Sequence, residues 1–174
     1  MQKIIYIFLF ATVFIINSEA KNIAYNIRNQ IINFDSIQKP NLIIFYQNPS
    51  CSSCIKQLGR IIDSVTNKYF RIFVVIKTNQ SALAKKETSI YLKKYINFSE
   101  AFYVIGDGFT TKSDTTFGKT IFDNFNVVNT PSILFNDFNS DVFIEYREMF
   151  GYDFNDNELI TLIKKKMKSK RQNK

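Results

Sequence analysis

Histidine and tryptophan are absent from the 174 residues, and cysteine occurs only twice. Without an imidazole the chain has no Ser-His-Asp triad, no histidine general base and no histidine ligand for a metal, which removes most hydrolytic mechanisms. A tetrahedral zinc site takes four sulfur or nitrogen ligands, and two cysteines supply half of them. A metal would therefore need carboxylates or a second chain, and neither a metal nor an organic cofactor is expected. Proline is also scarce, and its three positions punctuate the chain: Pro40 and Pro49 bound one apolar run, and Pro131 opens another.

What is present in quantity is apolar surface. With 45% hydrophobic and 16% aromatic residues, the chain has enough for one domain with a substantial core. The first twenty residues, "MQKIIYIFLFATVFIINSEA", place Lys3 before an apolar run from Ile4 to Ile16 and end in small residues at Ser18 and Ala20. That run is shorter than the roughly 20 residues of a spanning helix, so residues 1–20 are expected to be a secretory signal peptide or, if uncleaved, an N-terminal anchor. Either reading exports the remainder to an oxidising, extracytoplasmic compartment such as the periplasm. No cysteine sits at the cleavage point, so a lipid-modified N-terminus is not supported.

The formal net charge is +8, and much of it lies in "KKKMKSKRQNK" at residues 164–174. Cations at the end of a last helix suit the negative end of its dipole, and residues 167–174 read as a basic tail after a domain spanning 21–166. For an exported chain an anionic membrane surface is the better functional expectation for this tail, and nucleic acid is not an expected partner.

"NLIIFYQ" (41–47) and "RIFVVIKT" (71–78) read as buried strands. After the first, Ile55, Leu58, Ile61, Ile62 and Val65 recur at helical spacing, with Ser50 placed as N-cap and Cys51 in the first turn. After the second, Ser81 caps a helix with Ala84, Thr88, Tyr91, Leu92, Tyr95 and Ile96 on one face and Lys85, Lys86, Lys93 and Lys94 elsewhere. This alternation is that of parallel βαβ units. "AFYVIGD" (101–107) reads as a strand ending at a Gly-Asp-Gly turn, followed by a polar loop and a short helix marked by Phe117, Ile121, Phe122 and Phe125. "SILF" (132–135) and "VFIEYREMF" (142–150) are expected to pair as a hairpin. Leu159, Ile160, Ile163 and Met167 form a last helix capped by Asn155 or Asp156. Residues 21–38, with Ile27, Ile31 and Phe34, fit either helix or strand.

The chemistry concentrates in "FYQNPSCSSCIKQLGRII", where Cys51 and Cys54 stand at a strand-to-helix junction. Unpaired backbone N–H groups and the dipole at a helix N-terminus stabilise a thiolate, so Cys51 is a candidate nucleophile with a lowered pKa. Cys54, one turn later, is spaced to attack a mixed disulfide formed at Cys51. The alternatives are a permanently oxidised staple and half of a metal site.

A strand, C-x-x-C at the start of a helix, further strands and a helix, then "NTPSILF" followed by a hairpin and a terminal helix resembles the thioredoxin fold. More narrowly it is similar to exported redoxins of the thiol-specific-antioxidant and cytochrome-maturation type. The resemblance covers residues 38–166 by order of elements and rests on two motifs, "CSSC" and "TPS". It implies an α/β protein with a central mixed sheet flanked by helices and an inserted strand-helix segment, Arg71 to Asp107, between the C-x-x-C and the cis-proline loop. It also implies thiol-disulfide exchange with protein thiols and disulfides, including a redox partner protein of the cell envelope. Cys51 would be the attacking thiol, Cys54 the resolving one, Pro131 a cis-proline beside them, and Thr130 a source of backbone hydrogen bonds to an extended substrate.

Three positions depart from the usual pattern. Ser50 replaces the tryptophan that usually precedes the first cysteine, Ser52-Ser53 replaces Gly-Pro or Pro-Pro, and Phe45 stands where thioredoxins bury an aspartate. A thiol peroxidase is the rival within this fold, but Asn48 occupies the place of its Thr or Ser. A thioredoxin-like binding module with a structural disulfide is the alternative of a different class. Lys56 could lower the Cys51 pKa or be an ordinary exposed lysine. Phe45 and Tyr46 could line a groove or fill the core, and the aromatic stretch Phe109 to Phe125 could form a lip for a partner or belong to the core.

Overall fold

The computed structural model describes residues 22–48, 50–66, 69–78, 81–105, 120–137 and 141–172. The N-terminal apolar segment, the Gly-Asp-Gly turn, the polar loop after it, Phe109 and Phe117 lie outside these residues. The strands are β1 (Ile23–Tyr25), β2 (Ile31–Asn33), β3 (Asn41–Gln47), β4 (Arg71–Thr78), β5 (Glu100–Ile105), β6 (Ser132–Asn136) and β7 (Asp141–Ile144). The helices are α1 (Ser52–Val65), α2 (Ala82–Lys93), α3 (Ile121–Asn124), α4 (Tyr146–Phe150) and α5 (Asp156–Gln172), with a 3-10 turn at Phe34–Ser36.

All seven strands join one mixed sheet in the order β2-β1-β5-β4-β3-β6-β7. β3, β4 and β5 run parallel, as two successive βαβ crossovers require, while β6 pairs antiparallel with β3 and β7 with β6. β3 is apolar along nearly its whole length because both faces of the sheet are covered. Leu42, Ile44 and Tyr46 face one core, where Ile55, Leu58, Ile61, Ile62 and Val65 of α1 meet Leu159 and Ile163 of α5. Ile43 and Phe45 face the other, closed by Phe34 and by Ile121 and Phe122 of α3. Each fully buried Leu or Ile contributes roughly 1.5–3 kcal/mol relative to its exposed state. The period of 2 in β3 and of 3.6 in α1 thus fix which side of the sheet carries the C-x-x-C helix. Between that helix and the Thr130–Pro131 loop, β4, α2 and β5 supply the inserted strand-helix segment.

Two local outcomes, over 142–150 and at Lys85, differ from the sequence reading, and two others settle what it left open. Residues 21–38 form the β1–β2 hairpin and the 3-10 turn, because Asn29 takes a left-handed conformation (φ 61°) and Asn26 Oδ1 accepts from Arg28 N and Gln30 N, closing the turn. The strand expected over 142–150 stops at Ile144, and its second half is α4. There the Tyr146 N–H donates to Ser132 Oγ, and helical winding carries Met149 into the core. Lys85 points inward, not to solvent: it is only 3% exposed, and its ammonium lies over the Tyr103 ring and donates to Asn29 Oδ1. The last helix is capped by Asn155, whose Oδ1 accepts from Asn157 N and Glu158 N, and it continues without a break through Met167 to Gln172. Among the described residues, no helix is long and apolar enough to cross a membrane.

Candidate functional site

β3 ends at Gln47 and α1 begins at Ser52, so the strand-to-helix junction lies at the C-terminal end of β3, an interior strand of the sheet. Cys51, not Ser50, is the N-cap: its backbone is extended (φ −61°, ψ 102°) and its Sγ accepts from Cys54 N at 3.2 Å. An N-cap side chain serves the amide two or three residues on, and Ser50 stands one position too early. Its hydroxyl donates across the site to the Thr130 carbonyl at 2.8 Å instead.

Cys51 and Cys54 form a disulfide, with Cys51 partly exposed and Cys54 only 8% exposed. A disulfide sulfur carries no hydrogen, so every hydroxyl near it is a donor. Ser53 Oγ lies 3.2 Å from Cys51 Sγ, and Tyr146 Oη lies 3.7 Å from Cys54 Sγ. Cys51 therefore receives a backbone N–H, a serine hydroxyl and the positive end of α1, all of which favour a thiolate there once the bond opens. Cys54 receives a phenol from another part of the chain.

The antiparallel pairing of Phe45 with Ser132 brings the start of β6 beside the end of β3. Here the Thr130–Pro131 peptide bond is cis, and both residues are buried. Thr130 Oγ1 accepts from Gln47 N at 3.0 Å and stands 3.2 Å from Ser50 Oγ and 3.3 Å from Gln47 O, so its one hydroxyl hydrogen lies between two acceptors. Ser132 Oγ donates to Asn129 O at 2.7 Å and accepts from Tyr146 N at 2.9 Å, which sets where α4 begins and so where the Tyr146 ring stands. The sheet thus gathers the residue before Cys51, the residue before Pro131 and the partner of Cys54 at one end of its interior strands β3 and β6.

Of the remaining candidates, Phe45 is core, stacked edge-on against Phe122 and Phe143 on the face away from α1. Tyr46 is mostly core but also lines an open depression of about 400 Å³ with Asn48, Ser50, Ser52, Glu87 and Tyr91. Burial first, and the neighbouring Tyr91 second, raise the Tyr46 phenol above its ordinary pKa. Lys56 is exposed, with its ammonium over the Tyr95 ring at 5.4 Å. Phe122 is buried and Phe125 half-buried, both in the core cluster beneath α3.

Sequence reasoning missed Ser53 and Tyr146. Ser53 was detectable in principle, as a hydroxyl in the first helical turn beside a capping sulfur. Tyr146 lies 92 residues from Cys54 and gives no local signal.

No protein-family model matches the sequence, and no curated protein matches it. Solved structures do match in shape. They include a secreted Mycobacterium tuberculosis disulfide oxidoreductase homologous to E. coli DsbE, at 16% identity over 86% of this chain and 98% of that one, with a TM-score of 0.51. A thioredoxin-like protein from Aeropyrum pernix aligns at 13% identity over 89% and 95%, with a TM-score of 0.51. MTB dsbF, in mixed oxidised and reduced forms, aligns at 15% identity over 85% and 96%, with a TM-score of 0.50. At these identities the likeness is one of fold. The chain accordingly has a thioredoxin-like α/β fold, with a C-x-x-C disulfide at the N-terminus of the helix that follows its central strand.

Proposed function

We propose that this protein is a thiol-disulfide oxidoreductase that exchanges disulfides with polypeptide partners outside the cytoplasm. The observation that carries the reading is the asymmetry of the disulfide: a partly exposed Cys51 sulfur capping α1, bonded to a buried Cys54 sulfur. A partner thiolate reaches the outer sulfur, and the inner one leaves. The Cys51–Cys54 bond breaks, a mixed disulfide forms at Cys51, and the electron pair departs on Cys54. A second thiolate of the same partner then attacks its own sulfur and releases Cys51, so the partner dithiol is oxidised by two electrons as the protein is reduced. Reduction of a partner disulfide runs through the same bonds in reverse, Cys51 attacking and Cys54 resolving, and a second redox protein of the envelope restores the starting state.

The partner segment lies along the Thr130–Pro131 edge, next to the depression lined by Tyr46, Ser52 and Tyr91. Export rests on the character of residues 1–20, and the lysine-rich end of α5 suits an anionic membrane surface. Exchange of this kind needs no organic cofactor or metal. The test is trapping: Cys54→Ser expressed in cells should accumulate mixed disulfides with partner proteins through Cys51, visible as reducible higher-mass species. Equal yields of such species from Cys51→Ser would overturn the assignment of roles.

A further inference from the structure

The geometry points to Tyr146 as the hydrogen-bond donor that stabilises Cys54 as a thiolate whenever the disulfide opens. This rests on the exchange reaction proposed above and adds a residue to it. In the oxidised protein the Tyr146 hydroxyl already donates to Cys54 Sγ at 3.7 Å, within hydrogen-bonding range for sulfur. It is held there by three independent constraints. Its backbone N–H donates to Ser132 Oγ, its ring packs on Phe150 at 5.6 Å between centroids, and Met149 of the same short helix is fully buried. The donor is thus in place before charge develops, on a sulfur that is otherwise shielded from water.

When a partner thiolate attacks Cys51, the breaking bond leaves its electron pair on Cys54 Sγ. A buried thiolate without a donor is costly, because burial raises a thiol's pKa. The phenol supplies the donor, and no proton changes hands in that step. In the reverse direction Cys54 must be a thiolate to displace the partner from Cys51, and the same hydrogen bond keeps it ionised. The role cannot fall to an acid on the central strand, whose residues on the side of α1 are Leu42, Ile44 and Tyr46.

The experiment compares Tyr146→Phe with the parent in two settings. In the full protein equilibrated with reduced and oxidised glutathione at a pH high enough to ionise Cys54, the variant should favour the disulfide roughly tenfold, which is about 30 mV toward more negative potential. In a Cys51→Ser background, where Cys54 is the single thiol, thiolate absorbance near 240 nm should show Cys54 ionising about one pH unit higher once the hydroxyl is gone. Less than a twofold change in both would overturn the inference. Absence of Cys51-dependent exchange in the parent would instead overturn the proposed function, and the Cys54 ionisation comparison would still decide for or against the Tyr146 hydrogen bond. Circular dichroism of each variant should match the parent's, since the Ser132 hydrogen bond, the ring on Phe150 and buried Met149 still hold α4 without the hydroxyl.

Discussion

The Ser50 hydroxyl donates to the Thr130 carbonyl oxygen at 2.8 Å, tying the residue before Cys51 to the residue before Pro131. The two lie 80 positions apart in sequence and meet because β6 pairs against β3. Ser50 therefore has a defined job, which is to clamp the two loops that frame the disulfide. Ser50→Ala should lower stability by about 1 kcal/mol, the usual net value of one partly buried hydrogen bond. Urea denaturation should show a lower midpoint with an unchanged slope, and an unchanged midpoint would show that the clamp carries no stability.

Gly59 marks a close approach of α1 to the turn after α2. A β-carbon at this position would overlap the Tyr95 carbonyl oxygen, a backbone atom that cannot swing aside. Gly59→Ala should therefore cost more than the 1 kcal/mol or so that alanine gains over glycine inside a helix, with a net destabilisation of roughly 2–3 kcal/mol. A thermal melt of the variant at or above the parent midpoint would contradict the packing.

Lys85 makes stability depend on alkaline pH. Its burial lowers the ammonium pKa from the ordinary 10.5, so between the folded and unfolded values the unfolded chain holds more protons. Stability should then rise as pH increases through that window, and the cost of the buried charge should be fully present below it. Lys85→Met removes the titration and leaves the exposed Asn29 to water. The gap between parent and variant in urea titrations should shift in the parent's favour from pH 7 to pH 10. Burial raises the phenol pKa values of Tyr46 and Tyr103 from the ordinary 10.0, so their own effect on stability begins only at the upper end of that range. Parallel pH curves would contradict the account.

Ser53 donates to Cys51 Sγ but is exposed, so water partly replaces it. Ser53→Ala should slow alkylation of reduced Cys51 at pH 7 by roughly threefold, less than a buried donor would. A rate equal to the parent's would show that the helix terminus alone sustains the thiolate.

The elements around the site were legible because their burial repeats at short range. Leu58, Ile61 and Ile62 recur with helical period, and "NLIIFYQ" is apolar throughout because the sheet is covered on both faces. Where a residue's fate depends on a distant partner, the pattern misleads. Ile27 and Ile31 sit at helical spacing yet are 56% and 43% exposed, because the asparagines of the hairpin turn decide the local backbone. Lys85 reads as a surface lysine until the same turn brings Asn29 over it, 56 residues away. The strand "VFIEYREMF" looks continuous until Ser132 captures the Tyr146 amide and starts a helix. In the site itself the two cysteines were legible by spacing, whereas Tyr146 and the Ser50 clamp required the fold that brings their partners near.

The central claim is that Cys51 is the sulfur that partners attack. Purified protein, its Cys51→Ser variant and its Cys54→Ser variant can be followed against an unfolded protein bearing one disulfide, in a glutathione buffer that holds the potential fixed. The parent should accelerate exchange, Cys51→Ser should fall to the buffer rate, and Cys54→Ser should form a stable adduct without turnover. Equal exchange by the parent and Cys51→Ser would contradict the account.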